Sequence, residues 1–352
     1  MKTLIIPMAG QSSRFPNLKP KWMLTHPKYG NFMVIESIRG LNLSIFDKIY
    51  FVCLKEHEDK YNFSKGLLDQ CHQLNIFEKS EILYLNDRTN SQSETVASAI
   101  IQKNIEGFIF IKDSDNYFET NIEENKNQVC YFDLNDAENI NAKNKSYIVL
   151  ENKNYITNIV EKKVISSTFS VGGYGFQNAS EFLHHYKQIH HMSGECYISN
   201  VIFQMMINDV SFTGTKTSNF KDWGTAKEWN SYKKTYKTFF VDLDGTLVTN
   251  TSHQMPPFIG TGQPLTENIK FLQTEYLTGR TKIIITTSRP ESYRKKTEEE
   301  LKKFNIPCDH LIMGLPHCQR ILVNDFAASN PYPSCSSINI TRNSNNLSEY
   351  FL

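Results

Sequence analysis

The chain has 352 residues, too long for one ordinary core and long enough for two domains. A formal net charge of +1 gives no electrostatic case for nucleic acid or an anionic membrane, and no stretch has the length needed to span a bilayer. The seven cysteines are scattered without a CxxC pair, which indicates neither zinc nor a disulfide framework; with an apolar start too short for a signal peptide, a cytoplasmic setting is expected.

Thr3 to Met8 reads as a strand, and Ala9-Gly10-Gln11-Ser12-Ser13-Arg14-Phe15 as the turn after it. Gly10 stands alone, so this is neither a Walker loop nor a dinucleotide fingerprint. Its small residues still let backbone N–H groups approach an anion, and the planar fork of Arg14 suits phosphate oxygens. Leu18-Lys19-Pro20-Lys21-Trp22-Met23-Leu24 follows as an extended arm, because the residue before a proline is kept out of the helical region. Asp47 to Leu54 and Ile82 to Leu85 read as strands, with helical spacing from Lys65 to Ile76 between them. Ser91 or Ser93 is an N-cap for the periodic run Val96, Ile100, Ile101.

Gly107 to Ile111 is a strongly apolar strand followed by Lys112-Asp113-Ser114-Asp115-Asn116-Tyr117-Phe118. Carboxylates at a buried strand's end are oxygen ligands of the kind Mg²⁺ takes together with phosphate. Residues 119 to 145 are polar and read as loops around one strand, Gln128 to Asp133. Ser146 to Leu150 and Tyr155 to Val160 read as a hairpin, followed by Glu161-Lys162 and by Gly172-Gly173-Tyr174-Gly175-Phe176. Further on stand Gly194-Glu195-Cys196-Tyr197-Ile198-Ser199-Asn200 and Asp222-Trp223-Gly224-Thr225. Histidines 184, 185, 190 and 191 lie on a polar helix with no paired carboxylate pattern and are not read as a metal site.

A strand, then AG-x-S-S-R-F, then PK-x-M-L resembles the nucleotidyltransferases of GT-A-like fold, which join a sugar 1-phosphate or another small phosphate ester to a nucleotide. The resemblance implies that Ala9, Gly10, Ser12, Ser13 and Arg14 cradle the triphosphate of a nucleoside triphosphate. Lys21 would neutralise charge in transfer, with Lys19 as the spare candidate. Gln92 and Thr95 would read the base, with a pyrimidine favoured and hence transfer of CMP or UMP. Asp115, helped by Asp113, and Asp222 would hold Mg²⁺. Glu161, Lys162, Gly173 and Glu195 would line the site of the small phosphorylated acceptor. A rival reading takes Asp113-Ser114-Asp115 as the DxD of a GT-A glycosyltransferase; the basic arm with Arg14 and Lys21 favours nucleotidyl transfer.

Ser231 to Lys237 reads as a linker between a first domain over 1–230 and a second over 238–352. Thr238 to Thr249, TFFVDLDGTLVT, is a buried-strand run that ends in two carboxylates and a glycine. Thr266 to Leu277 reads as a helix, Lys282 to Thr286 as a strand, Glu298 to Phe304 as a helix, and Arg320 to Phe326 as a last strand ending in an acid. Asp242-Leu243-Asp244-Gly245-Thr246 resembles the first motif of the haloacid dehalogenase (HAD) phosphatases. That resemblance implies Asp242 as nucleophile, Asp244 as acid and base, Thr287 or Ser288 and Arg320 at the phosphate, and Mg²⁺ on Asp242, Asp244 and Asp325. The family's third-motif lysine is missing; Arg320, Lys302 or Lys303 would replace it.

The fold expected is thus α/β, with two Rossmann-like domains, the second without a sizeable cap. The expected protein is a bifunctional enzyme of activated precursor synthesis, such as for a surface polysaccharide, and homo-oligomer formation is left open. The alternative is a glycosyltransferase carrying a non-catalytic HAD-like assembly domain.

Overall fold

The computed structural model describes residues 1–10, 15, 18–137, 141–151, 154–191, 194–250, 259–325 and 334–351. They fall into two compact units, Met1–Asn230 and Ser231–Leu352.

The strands of the first unit are β1 (Lys2–Pro7), β2 (Lys48–Leu54), β3 (Ser80–Leu85), β4 (Phe108–Lys112), β5 (Asn116–Glu119), β6 (Gln128–Asp133), β7 (Ser146–Glu151), β8 (Tyr155–Glu161), β9 (Thr168–Phe176), β10 (Thr213–Lys216) and β11 (Ser218–Asp222). Nine of them form one mixed sheet, in the order β3-β2-β1-β4-β9-β6-β10-β8-β7. β1 runs parallel to β2 and β4, while β9 runs antiparallel to β4 and β6. A strand flanked on both sides and covered on both faces must be apolar throughout, which accounts for LIIP in β1 and FIFI in β4. Alternation then divides the residues between two cores. Leu4, Ile6, Phe108 and Phe110 enter one, and Ile5, Ile109 and Ile111 the other.

The helices are α1 (Met33–Ile38), α2 (Lys55–Tyr61), α3 (Ser64–His72), α4 (Gln92–Lys103), α5 (Ala179–Ile189), α6 (Ile198–Met206) and α7 (Ala226–Lys234). Ser91 is the N-cap of α4: its hydroxyl accepts the Glu94 N–H at 3.2 Å, and the helix stops at Asn104 in the left-handed region. The expected linker 231–237 is mostly not one, since Ser231 to Lys234 close α7 and Lys237 opens the next strand. The polar residues there are those of a helix end, where basic side chains complement the dipole.

β5 and β11 form a separate antiparallel pair that places Asp222 opposite Asn116. Neither strand shows as one in the sequence, because both are short and half polar.

The second unit carries β12 (Lys237–Asp242), α8 (Thr266–Leu277), β13 (Thr281–Thr286), α9 (Arg294–Lys303) and β14 (His310–Ile312). Its strands are parallel in the order β12-β13-β14, with α8 and α9 as the crossovers that parallel pairing requires. The expected strand from Arg320 is a correction. Residues 321–325 form no strand, and Ile321 and Val323 are 74% and 91% exposed. An apolar run makes a strand only where an edge pairs with it, and no pairing of this segment occurs among the described residues.

Candidate active site

In the first unit the acids follow β4. Asp115 follows the strand end, and β11 brings Asp222 beside it: the Trp223 N–H donates to the Asp115 carbonyl at 3.0 Å. More than a hundred residues of sequence separate these two acids, and a single ladder joins them. Each carboxylate is met by a lysine. Lys21 Nζ donates to Asp115 Oδ2, and Lys145 Nζ to Asp222 Oδ2. Lys19, the spare candidate, is exposed. Trp223 is buried against His26 and Trp229, which anchors the strand that carries Asp222.

The loop that carries Asp113 and Asp115 is held from inside. Lys112 is fully buried, and its ammonium donates to the carbonyls of Asp113 and Asn116 at 2.8 and 3.0 Å and to the Asn116 side chain at 2.6 Å. Burial pulls the Lys112 ammonium down to about 8. Burial pushes the Asp113 carboxyl up to about 6, and the charge of Asp115 adds to the rise. Gln92 donates to Asp113 Oδ1 rather than presenting a free amide to a base. Thr95, expected at the base as well, is buried, with its hydroxyl 2.6 Å from that of Thr89 and 3.2 Å from the Ser91 carbonyl. Thr95 thus serves the N-terminal turn of α4, and Gln92 serves the loop that follows β4.

The glycines also serve this loop. Gly172 sits at φ 76°, and a Cβ there would lie 2.2 Å from Asp113 Oδ2. A Cβ on Gly173, expected to leave room for substrate, would lie 2.6 Å from the Phe118 ring and 3.0 Å from Cys130 Cβ. Its missing side chain is therefore filled by protein. Gly172→Ala is expected to lower the stability of the first unit by about 2–4 kcal/mol, from the left-handed backbone and the collision together. Urea unfolding followed by tryptophan emission checks it, since Trp22, Trp223 and Trp229 all lie in that unit. An unchanged midpoint would show that the loop yields.

Glu161, Lys162 and Glu195 form one cluster. Ser146 and Ser199 donate hydroxyls to Glu161 Oε2, the second at 2.7 Å. Lys162, at φ 55°, places its ammonium 4.3 Å from the Tyr197 ring centroid and donates to the Tyr197 hydroxyl, which donates in turn to Glu195. Ala9, buried, and Gly10, exposed, follow the end of β1; Ser12, Ser13 and Arg14 lie outside the described residues. A cleft of ≈ 340 Å³ opens beside Gly10, with Leu54, His57 and Arg88 on its other walls.

In the second unit Asp242 ends β12 and accepts from Arg320 Nη1 at 2.8 Å. Burial raises the Asp242 carboxyl, and Arg320 pulls it back. Asp244 is clamped. Arg289 Nη2 donates to its Oδ1 at 2.6 Å and Arg289 Nε to its Oδ2 at 3.0 Å, while the Thr287 hydroxyl donates to Oδ2 at 3.1 Å. Buried Glu300 takes Arg289 Nη1 at 2.5 Å. Thr287, expected at a phosphate, thus spends its hydroxyl on Asp244; Ser288 is half-buried next to it. Asp325 is exposed and lies in no strand, because the segment that would carry it to β12 does not pair. No group of three His, Cys, Asp or Glu able to hold a metal occurs among the described residues, so Asp242, Asp244 and Asp325 are not gathered as expected. Two carboxylates, as on Asp115 and Asp222, still suit Mg²⁺, which completes its shell with water and phosphate.

Arg289→Met leaves Asp244 and Glu300 without their cation. It is expected to destabilise the second unit by about 3–5 kcal/mol. Circular dichroism should then show an earlier transition, with the tryptophan-detected midpoint unchanged; a shared shift of both would contradict a defect local to Arg289.

Comparison with solved structures bears on the first of these sites. A nucleoside-diphosphate-sugar pyrophosphorylase from Vibrio cholerae RC9 matches over 66% of this chain and 99% of its own, at 19% identity and a TM-score of 0.55. An inositol-1-phosphate CTP transferase from T. maritima matches over 66% and 93%, at 12% identity and a TM-score of 0.50. A UDP-glucose pyrophosphorylase complexed with UDP-glucose matches over 66% and 97%, at 13% identity and a TM-score of 0.50. Over that two thirds of the chain the fold is the one these proteins share. No protein-family model matches the chain, and no curated protein does.

Lys145, Tyr197 and Lys112 contact the candidate residues of the first unit, and Arg289 contacts Asp244 in the second; the sequence reading gives none of the four a role. Lys145 lies in an Asn- and Lys-rich stretch with no local signal. Tyr197 stands within the Gly194 to Asn200 run and Lys112 directly precedes the acids, so adjacency is their signal; Arg289 has only its place beside Thr287 and Ser288.

Proposed function

We propose that the first unit transfers a nucleotidyl group, CMP or UMP, from a nucleoside triphosphate to a sugar phosphate or another small phosphate ester, with release of pyrophosphate. The observation that carries this is the meeting of Asp115 and Asp222 across β5 and β11, with Lys21 on the first acid, in a fold shared with nucleotidyltransferases. Asp115 and Asp222 would hold Mg²⁺, which supplies charge neutralisation on the phosphates when bound. The acceptor phosphate attacks the α-phosphorus, and pyrophosphate leaves. At about 4 Å two like unit charges repel by roughly 4 kcal/mol at an effective dielectric near 20, so the cations of this site lower a barrier that is chiefly electrostatic. Lys21 serves the transferring phosphoryl group, together with Arg14. Lys162 and Glu161 orient the acceptor, and Tyr197 fixes Lys162 against Glu195. A pyrophosphate-release screen of the four nucleoside triphosphates against phosphorylated small molecules tests it. Silence across pyrimidine nucleotides with sugar and alcohol phosphates would overturn the reading.

We propose that residues 238–352, within the second unit, form a HAD-like domain that hydrolyses a phosphate monoester through an aspartyl-phosphate on Asp242. In that role Arg320 holds the phosphate, and Asp244, set by Arg289 and Thr287, moves the proton. The exposed position of Asp325 favours a second reading, in which this unit is a non-catalytic assembly domain.

A further inference from the structure

Lys145 has no part in the sequence reading, yet it stands where the two halves of the first unit's site join. Its ammonium is on Asp222, and the pair is largely buried, with side-chain exposures of 15% and 10%. Its main chain belongs to the other half. The Lys145 carbonyl accepts the Lys162 N–H at 2.9 Å, and the next residue, Ser146, faces Glu161 in the β7–β8 register and donates to it. One residue therefore touches an acid of the proposed metal pair through its side chain and the acceptor cluster through its backbone. The Phe220 ring, 5.4 Å from Nζ, covers the pair.

The charge balance gives this placement a meaning. Among the described residues, Asp115 carries the ammonium of Lys21 and Asp222 that of Lys145. A divalent cation on those acids removes the reason for both ion pairs. A lysine displaced from a carboxylate inside a partly buried site must find another anion, since an unpaired buried ammonium is costly. The anion that arrives on this side is the acceptor's phosphate.

We propose that Lys145 is an exchangeable cation of the acceptor subsite: it neutralises Asp222 in the metal-free protein and pairs with the acceptor phosphate once a divalent cation takes that acid. The proposal rests on the nucleotidyl-transfer reading for the identity of the acceptor, but its first consequence does not. Lys145 competes with the metal for Asp222, so removing its charge must strengthen metal binding while weakening phosphate binding. A lysine with only a structural role would do neither.

The test uses the full chain and two probes, MgCl₂ alone and inorganic phosphate at saturating Mg²⁺, each followed by titration calorimetry. In Lys145→Met the affinity for Mg²⁺ is expected to rise about tenfold and that for phosphate to fall about tenfold, the scale of one ion pair near a protein surface. Lys145→Arg keeps the charge and is expected to stay close to wild type in Mg²⁺ affinity, which guards against a misfolded Met variant. Unchanged or weaker Mg²⁺ binding in a folded Lys145→Met, or unchanged phosphate binding, overturns the proposal, as does wild-type protein that binds no Mg²⁺. If both shifts appear but no nucleotide and phosphate ester release pyrophosphate, the nucleotidyl-transfer reading fails and the exchange at Lys145 stands.

Discussion

Lys21→Ala is expected to reduce kcat for pyrophosphate release by at least about 10³-fold, with a much smaller change in KM. Lys21 opens a short 3-10 turn, Lys21–Met23, within the arm expected to be extended, and reaches Asp115. Its charge matters most as two phosphates close on each other, so its loss falls on the transition state rather than on substrate binding. Lys19→Ala provides the control. Lys19 is exposed, and its removal is expected to leave turnover within about twofold of wild type, as exposed substitutions usually do. Wild-type turnover in Lys21→Ala, with loss in Lys19→Ala, would reverse the assignment. The Lys21 variant also removes one cation from Asp115, so calorimetry with Mg²⁺ separates the two effects: metal binding should persist while turnover is lost.

Asp242→Asn should abolish phosphate release from a monoester and leave pyrophosphate release unaltered. Asparagine keeps the shape of the side chain but is a poor nucleophile. Uncatalysed hydrolysis of phosphate monoesters is among the slowest reactions known, so no background conceals the loss. The two chemistries are assigned to separate units, each with its own core and its own acids. Measuring both products on the one variant decides the matter. Loss of both, at unchanged circular dichroism, would contradict independent sites. Retained phosphate release would remove Asp242 as nucleophile. A wild-type protein that hydrolyses none of the monoesters tried would favour the assembly reading, to which the position of Asp325 already points.

Local signals in the sequence located the strand-end acids. β1, β4, β12 and β13 are apolar runs with a turn or an acid at their ends. β1 and β4 are covered on both faces, which leaves little choice of residue, whereas in β12 Thr238 and Phe240 stay exposed, so the buried strand expected there is covered on one face. Asp115, Asp242 and Asp244 were legible for that reason, as was the Ser91 cap of α4, whose hydroxyl is a local demand of the backbone. The same signal misled at Arg320 to Phe326. Hydrophobicity states that a segment can be buried, and only an unpaired edge can accept it.

The partners of those acids were decided by tertiary structure alone. β5 and β11 are short and polar, and their pairing closes a loop of about a hundred residues, at an entropic cost that only the assembled sheet offsets. That pairing sets Asp222 beside Asp115. Lys145 has no periodic or motif signal, and Arg289 has only its place beside Thr287 and Ser288, because an ion pair depends on where two distant backbones lie and not on neighbours in sequence. Gly172 and Gly173 were visible as glycines, but the atoms that need their missing side chains, the Asp113 carboxylate and the Phe118 ring, come from another strand and its turn. Close packing fills any space that a residue vacates, and which neighbour fills it is settled only when the chain is folded.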